Sequence, residues 1–199
     1  MRDVLVATTN RGKLREYEEL LAGLPLRLRF VQDLADPPAE PPEDADTFVE
    51  NAIAKARDYA RDSGLLTIAD DSGLEVAALD GAPGVRTKRY FGDGIADAER
   101  NRRLLERMRD VRDRSARFVC VTALAWPDGR VETFEGVCDG RIAKAPAGTN
   151  GFGYDPVFQP AGYDRTMAEL PSEVKNRISH RGRAAAKLFP RLQSVLSGT

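Results

Sequence analysis

Hydrophobic and polar positions follow two different periods along this 199-residue chain, and each change of period marks an element. Residues 3–8, DVLVAT, are an apolar run that ends at the polar TNRGK, which predicts a buried strand and a turn. Leu14, Tyr17, Leu20 and Leu21 then recur at helical spacing, so strand, turn and helix open the chain. A short strand-like run, LRLRFV, leads into a Pro-rich acidic loop. Thr47 and Glu50 form a capping-box pattern, and Phe48, Ala52, Ile53, Ala56, Tyr59 and Ala60 continue one apolar face, predicting a helix from there to about Arg61. LLTIA reads as a buried strand that stops at Asp70-Asp71-Ser72-Gly73, where glycine permits a turn. Residues 97–110 read as a charged helix with Leu104, Leu105 and Met108 inward. Two long strands, SARFVCVTALAW and RVETFEGVCDGRIA, flank Pro127-Asp128-Gly129, a hairpin signal. A glycine-rich loop, PAGTNGFGYDP, precedes the short strand VFQP, and the last helix carries Ala185, Leu188, Leu192 and Val195 on one face. Strands and helices mixed in this order, with one antiparallel pair, define an α/β protein with a mixed sheet. No repeat, linker or low-complexity stretch interrupts it.

Composition sharpens the picture only slightly. With 42% hydrophobic and 31% charged residues and a net charge of -1, the chain is an ordinary globular protein. One domain over residues 1–199 is the expectation, and a chain this long buries roughly 70% of its unfolded surface without a disulfide or structural metal. The two cysteines, Cys120 and Cys138, lie in apolar strand-like runs and not in a C-x-x-C pair, which predicts buried, reduced thiols. No apolar run approaches the roughly 18 residues of a membrane span, and MRDVLVATTN lacks a signal peptide's basic start and long apolar stretch. The expected location is therefore the cytoplasm. The balanced charge argues against a polynucleotide partner, yet its distribution is uneven: residues 33–46 carry only acidic charges and residues 175–191 only basic ones. Such segments are suited to meet across a site.

Four clusters can carry chemistry. Thr8-Thr9-Asn10-Arg11-Gly12-Lys13 lies where a strand gives way to a helix, and free N–H groups and the helix dipole there favour an anion. It is not a Walker A loop, because the first glycine is missing and Leu14 follows the lysine. Asp70 and Asp71 follow an apolar strand. Adjacent carboxylates repel, so burying both calls for a cation or a raised pKa, and both serve one site only if the chain bends at Ser72-Gly73. Glu43 in the acidic loop is the third candidate, since Mg²⁺ is commonly held by one or two carboxylates plus substrate phosphates. Finally, Gly151 to Asp155 offers close backbone approach and an aromatic face in Phe152, while Lys175, His180 and Arg181 offer donors to a base carbonyl. Each fragment alone also fits a plainer reading: a capped turn, a solvated acidic loop, an Asp-rich turn or a structural histidine.

Taken in order, ATTNRGK, TFVENAIAKA, ADDSGLEV, GAPGVRTKRY, GFGYDPVF and ISHRG resemble the inosine triphosphate pyrophosphatase family over nearly the whole chain. The resemblance implies an elongated two-lobed α/β fold, with a long curved mixed sheet flanked by helices and a central cleft, usually as a homodimer. It implies Mg²⁺-dependent hydrolysis of ITP, dITP and XTP to the monophosphate and pyrophosphate, water attacking the α-phosphorus. Residue by residue, it puts the triphosphate on Thr8, Thr9, Asn10, Arg11, Gly12 and Lys13 with Lys55 as a further contact. The metal falls on Glu43 and Asp70, with Asp71 as general base or additional ligand and Ser72 beside the substrate. The nucleoside falls on Phe152, Gly153, Tyr154, Asp155, Lys175, His180 and Arg181. Donors from His180 and Arg181 suit a 6-oxo purine and leave adenine's 6-amino group poorly matched; guanine shares the 6-oxo group, so its rejection rests on its 2-amino group. The chain departs from the family pattern at Thr9 and Ala45, where relatives often carry glycine. Two alternatives are a pyrophosphatase for modified pyrimidine nucleotides, against which the S-H-R and GFGYD elements argue, and a non-catalytic purine-nucleotide sensor, which would not need the carboxylates.

Overall fold

The computed structural model describes residues 1–198. The opening apolar run becomes β1 (Arg2–Val6), in which Val4, Leu5 and Val6 are all buried. Burial of consecutive residues is what a strand covered on both faces requires. β1 has parallel neighbours on either side, β2 (Leu26–Phe30) and β3 (Leu66–Val76), with Val4 opposite Leu28 and Leu66. α1 (Arg11–Leu20) begins where the Asn10 side chain accepts from the backbone N–H groups of Gly12 and Lys13, at 2.9 and 3.3 Å.

α2 (Phe48–Ser63) starts at Thr47 as expected, whose hydroxyl accepts from the Glu50 N–H at 3.2 Å. The Glu50 carboxylate accepts from that same hydroxyl at 2.8 Å instead of reaching the Thr47 backbone, because a hydroxyl both donates and accepts. The helix runs on to Ser63 and closes at Gly64, whose φ of +67° only glycine adopts without strain.

The expected stop at Asp70–Gly73 is absent: β3 continues unbroken from Leu66 to Val76. Asp, Ser and Gly have poor strand propensity, but burial and side-chain partners override it here. β4 (Ser115–Ala125) and β5 (Val131–Ile142) form the expected hairpin, closed by the Trp126 N–H donating to the Arg130 carbonyl at 2.9 Å. β6 (Phe158–Pro160) pairs antiparallel with β5, giving the order β2-β1-β3-β4-β5-β6. The sheet is therefore mixed, as the α/β reading requires. α3 (Asp97–Arg107) stops three residues short of the expected end. α4 (Ser172–Ile178) has no counterpart in the sequence reading, because seven residues show only Val174 and Ile178 as an apolar pair. α5 (His180–Ser197) turns Leu188 and Leu192 inward and accommodates Pro190.

The chain builds two compact units from interleaved segments. The first comprises residues 1–71, 120–136 and those from Arg181 onward. Its core joins Val4, Val6, Tyr17, Leu21, Ile68, Leu124, Leu188 and Leu192. The second comprises residues 72–119 and 137–180, around Leu74, Leu104, Met108, Phe118, Ile142 and Phe158. Because the chain passes between them inside β3, β4 and β5, neither unit is a continuous stretch of sequence. Among the described residues no helix is long and apolar enough to cross a membrane.

Candidate active site

The first unit gathers its charge around Asp70, which is 2% exposed. One carboxylate oxygen, Oδ2, receives Lys13 Nζ at 3.1 Å, Arg181 Nη2 at 2.9 Å and the Cys120 thiol at 3.7 Å. The other, Oδ1, is buried and has no hydrogen-bond partner. Lys13 also donates to the Asp70 carbonyl at 3.2 Å. Arg181 is 1% exposed and donates through Nη1 to Glu16 at 2.5 Å. Glu16 follows Lys13 by three residues, so α1 presents both on one face. Two carboxylates and two cations thus balance in the interior, which a buried ion cluster needs to persist. Burial alone would raise the Asp70 pKa, but Arg181 and Lys13 outweigh it and hold the carboxyl well below the usual range. Burial and the Asp70 charge push the Cys120 thiol up to about 12, and the same two causes raise the Tyr17 phenol. Both groups stay neutral.

Asp71 faces a different environment, as the alternation of a continuous strand demands. Its Oδ2 accepts from Asn51 Nδ2 at 2.9 Å. Asn51 also accepts from the Ala45 N–H at 3.0 Å and donates to the Ala45 carbonyl at 3.3 Å, so α2 holds the end of the acidic loop through backbone groups. Within that loop Glu43 forms an ion pair and hydrogen bond with Lys55, Glu40 lies 3.7 Å from the same ammonium, and Glu40 accepts from the Thr9 hydroxyl at 3.2 Å. The loop therefore meets α2 and the β1–α1 turn. Burial, followed by the Glu43 and Asp70 charges, raises the Asp71 pKa to about 6 against the pull of Lys13 and Asn51. Lys55 would be lowered by burial, but Glu43 and other carboxylates raise it.

Among the described residues no three His, Cys, Asp or Glu side chains are gathered as a ready-made metal cage. Mg²⁺ does not need one, because it keeps waters and takes only one or two protein carboxylates beside substrate phosphates. The buried, unpartnered Asp70 Oδ1 is an oxygen that could serve such an ion, and the carboxylate repulsion that helps raise Asp71 is what a bound cation would relieve. The donor set fits.

The second unit holds another cluster. The Asp155 carboxylate accepts from the Phe152 N–H at 2.8 Å and from Lys175 Nζ at 2.5 Å, both charged residues being buried. Lys175 Nζ also sits 5.0 Å from the Phe152 ring centroid, a cation–π distance. Gly151 makes this packing possible: its φ is +75°, and a Cβ there would lie 2.8 Å from Lys175 Nζ and against the Asp155 carboxylate. Asn101 Nδ2 donates to the Gly153 carbonyl at 3.0 Å, and Tyr154 donates to the Thr87 carbonyl at 3.3 Å. Phe152 and Gly153 line a cavity of about 1080 Å³ together with Asn101, Thr149 and Asn150. His180 is buried and stacked on Phe118, with centroids 4.6 Å apart and planes at 10°.

The remaining candidates have contacts and positions of their own. Asn10 uses its side-chain oxygen as the α1 cap, and the Thr8 hydroxyl accepts from the Asn10 N–H at 3.2 Å. Thr9 turns its hydroxyl to Glu40. Arg11 is exposed, Gly12 half-buried in the first turn of α1, and Ser72 half-buried within β3. Arg181, expected at the base, holds Asp70 and Glu16. Glu16, Asn51 and Cys120 join the site without having been singled out as site residues. Asn51, a polar residue on the apolar face of α2, carries a usable signal, whereas nothing local distinguishes Glu16 from solvated surface.

On this α/β scaffold a capped helix start and a lysine stand beside a buried aspartate with one unpartnered oxygen, a set of groups suited to phosphate and a cation. The chain belongs to the Ham1 family, whose model matches residues 4–191. It is 48% identical over 185 residues to the dITP/XTP pyrophosphatase of Desulfotalea psychrophila, covering 93% of this chain and 82% of that protein. To the protein of the same name from Geobacter sulfurreducens it is 49% identical over 190 residues, covering 94% and 95%. The HAM1 protein of Coxiella burnetii superposes with a TM-score of 0.87 at 43% identity over 100% of both chains. The Staphylococcus aureus Ham1 protein gives 0.84 at 38% identity, covering 99% of both.

Proposed function

We propose that this protein hydrolyses non-canonical purine nucleoside triphosphates (ITP, dITP and XTP) to the monophosphate and pyrophosphate, and so cleanses the nucleotide pool. The observation that carries the reading is the state of Asp70, an ionised buried carboxylate with one oxygen saturated by cations and the other open. The names of the relatives supply the substrate class. Asp70 Oδ1, with Asp71 and Glu43 as further carboxylates, would hold Mg²⁺. When bound, that ion neutralises phosphate charge and lowers the pKa of water.

The residues then divide the work. Lys13 and Lys55 neutralise the triphosphate, and Thr8 to Gly12 shape the helix start that receives it. Asp71, poised near 6, accepts the proton of the attacking water. The water oxygen bonds to the α-phosphorus as its bond to the bridging oxygen breaks, and pyrophosphate leaves with that electron pair. Phe152 provides a stacking face, Lys175 and Asp155 fix that ring, and His180 and Tyr154 complete the base-binding group. A homodimer is proposed on the resemblance alone, with light scattering as the check on assembly. The decisive assay is pyrophosphate release with Mg²⁺ from dITP and XTP against dATP, dGTP, dTTP and dUTP. The expected result is preference for dITP and XTP; preference for dUTP, or binding of ITP with no turnover on any of them, overturns the reading.

A further inference from the structure

Beneath Asp70 lies a row of polar side chains that the reaction as described does not use. Tyr17, Thr122 and Cys120 are each 0% exposed. Tyr17 Oη lies 3.0 Å from Thr122 Oγ1, Thr122 Oγ1 lies 3.7 Å from Cys120 Sγ, and Cys120 Sγ lies 3.7 Å from Asp70 Oδ2. We propose that Tyr17, Thr122 and Cys120 are positioning residues, a buried hydrogen-bond relay of fixed polarity that clamps Asp70 Oδ2 and leaves Oδ1 as the one open oxygen.

The polarity follows from the donor inventory. An ionised carboxylate only accepts, so the single thiol proton of Cys120 points to Asp70. Its sulfur must then accept from the Thr122 hydroxyl. That hydroxyl has used its one proton, so it must accept from Tyr17. Each hydrogen runs one way, from Tyr17 on α1 through Thr122 and Cys120 on β4 to Asp70 on β3. With Lys13 and Arg181, the thiol is the third donor on Oδ2. Tilting the carboxylate would break three contacts on one oxygen, so the relay fixes the plane of the carboxylate and the direction of its unpartnered oxygen. A core chosen for packing alone would place apolar side chains at 17, 120 and 122, since buried polar groups are tolerated only when bonded.

The inference rests on the reading of Asp70 as the cation ligand, and its test separates the two. Infrared spectroscopy of the S–H stretch in the full chain reads the relay directly. The chain has two cysteines, and Cys138→Ala leaves only the Cys120 band. That band is expected at low frequency, shifting upward in Asp70→Asn, whose amide is a weaker acceptor, and shifting again in Thr122→Val. In parallel, Cys120→Ala and Thr122→Val are expected to lower kcat for dITP about ten-fold, the scale of one hydrogen bond to a charged group, with KM changed less than about two-fold. The Mg²⁺ concentration for half-maximal rate is expected to rise, while thermal unfolding shows a folded protein. A Cys120 band unmoved by both Asp70→Asn and Thr122→Val overturns the relay, as does Cys120→Ala with full kcat and an unchanged Mg²⁺ requirement. If Asp70→Asn does not fold, the isosteric Thr122→Val decides the band shift. If the natural chain fails to hydrolyse dITP, the functional reading falls while the infrared bands still decide the relay.

Discussion

Replacing Asp71 by asparagine should make the protein more stable while removing its activity, and the two effects should separate with pH. Asp71 is 6% exposed, and its pKa rises from 3.8 to about 6. The folded value lies above the unfolded one, so the neutral carboxyl is the form that folding favours. Below pH 3.8 both states are protonated and no penalty exists; as pH rises through 6 the folded protein must ionise a buried group that repels Glu43 and Asp70. The displacement corresponds to about 3 kcal/mol at 1.36 kcal/mol per pH unit. The amide introduced by Asp71→Asn carries no charge and can still accept from Asn51 through its carbonyl oxygen. At about 2–4 °C per kcal/mol for a chain of this size, the substitution should raise Tm by roughly 6 °C or more at pH 8. Near pH 4 the gain should shrink to almost nothing.

The measurement is thermal unfolding of both proteins at pH 4 and pH 8 in EDTA, repeated at pH 8 with Mg²⁺. The cation should raise the natural protein's Tm and close part of the gap, because it relieves the same repulsion. At pH 8, kcat for dITP should fall roughly 100-fold or more in the variant, the scale of a lost general base. A gain in Tm equal at both pH values, or a loss at pH 8, would refute the electrostatic reasoning.

Other consequences are as direct. Cys120 is fully buried with its thiol pushed up to about 12, so a thiol-alkylating reagent at pH 8 should leave it unmodified until denaturant is added; rapid labelling of the native chain would contradict its placement. Gly151→Ala should cost about 1–3 kcal/mol, because the new Cβ meets a left-handed backbone and the Asp155–Lys175 pair, and urea unfolding with an unchanged midpoint would exclude that packing. Lys175→Met strands the buried Asp155 charge and should destabilise by about 3–5 kcal/mol, with most of the loss recovered when Asp155→Asn is added. If the double variant is no more stable than the single one, the two side chains are not coupled.

What the sequence could convey about this fold depended on how local each cause is. The β1–α1 start, the Thr47 cap of α2 and the β4–β5 hairpin were legible because each is set by residues a few positions apart. At Asp70–Gly73 the local sequence points to a turn, because the groups that make a strand tolerable there, Arg181, Lys13 and Asn51, lie 111, 57 and 20 positions away in the chain. α4 escaped for the opposite reason, being too short to show a period. The site was legible as a set of residue types but not as a set of partners. Nothing around Ser179-His180-Arg181 tells that the guanidinium turns inward to a carboxylate in another element, and a lone Glu16 in a charged helix looks like solvated surface until Arg181 is beside it.

That geometry changes what the two adjacent aspartates are for. Sequence proximity suggests two equivalent carboxylates, yet the continuous strand gives neighbouring side chains different partners. Asp70 meets two cations and is held well below the usual carboxylate range, while Asp71 meets burial and like charge and is raised to about 6. Two acids side by side in sequence are thus driven apart in proton affinity by their surroundings, the arrangement that lets one serve as a fixed anion and the other as a proton acceptor. Within the continuous strand, Arg181 and Lys13 set the state of Asp70 while Asn51, burial and Glu43 set that of Asp71, and the proposed division between ligand and base rests on that difference in partners.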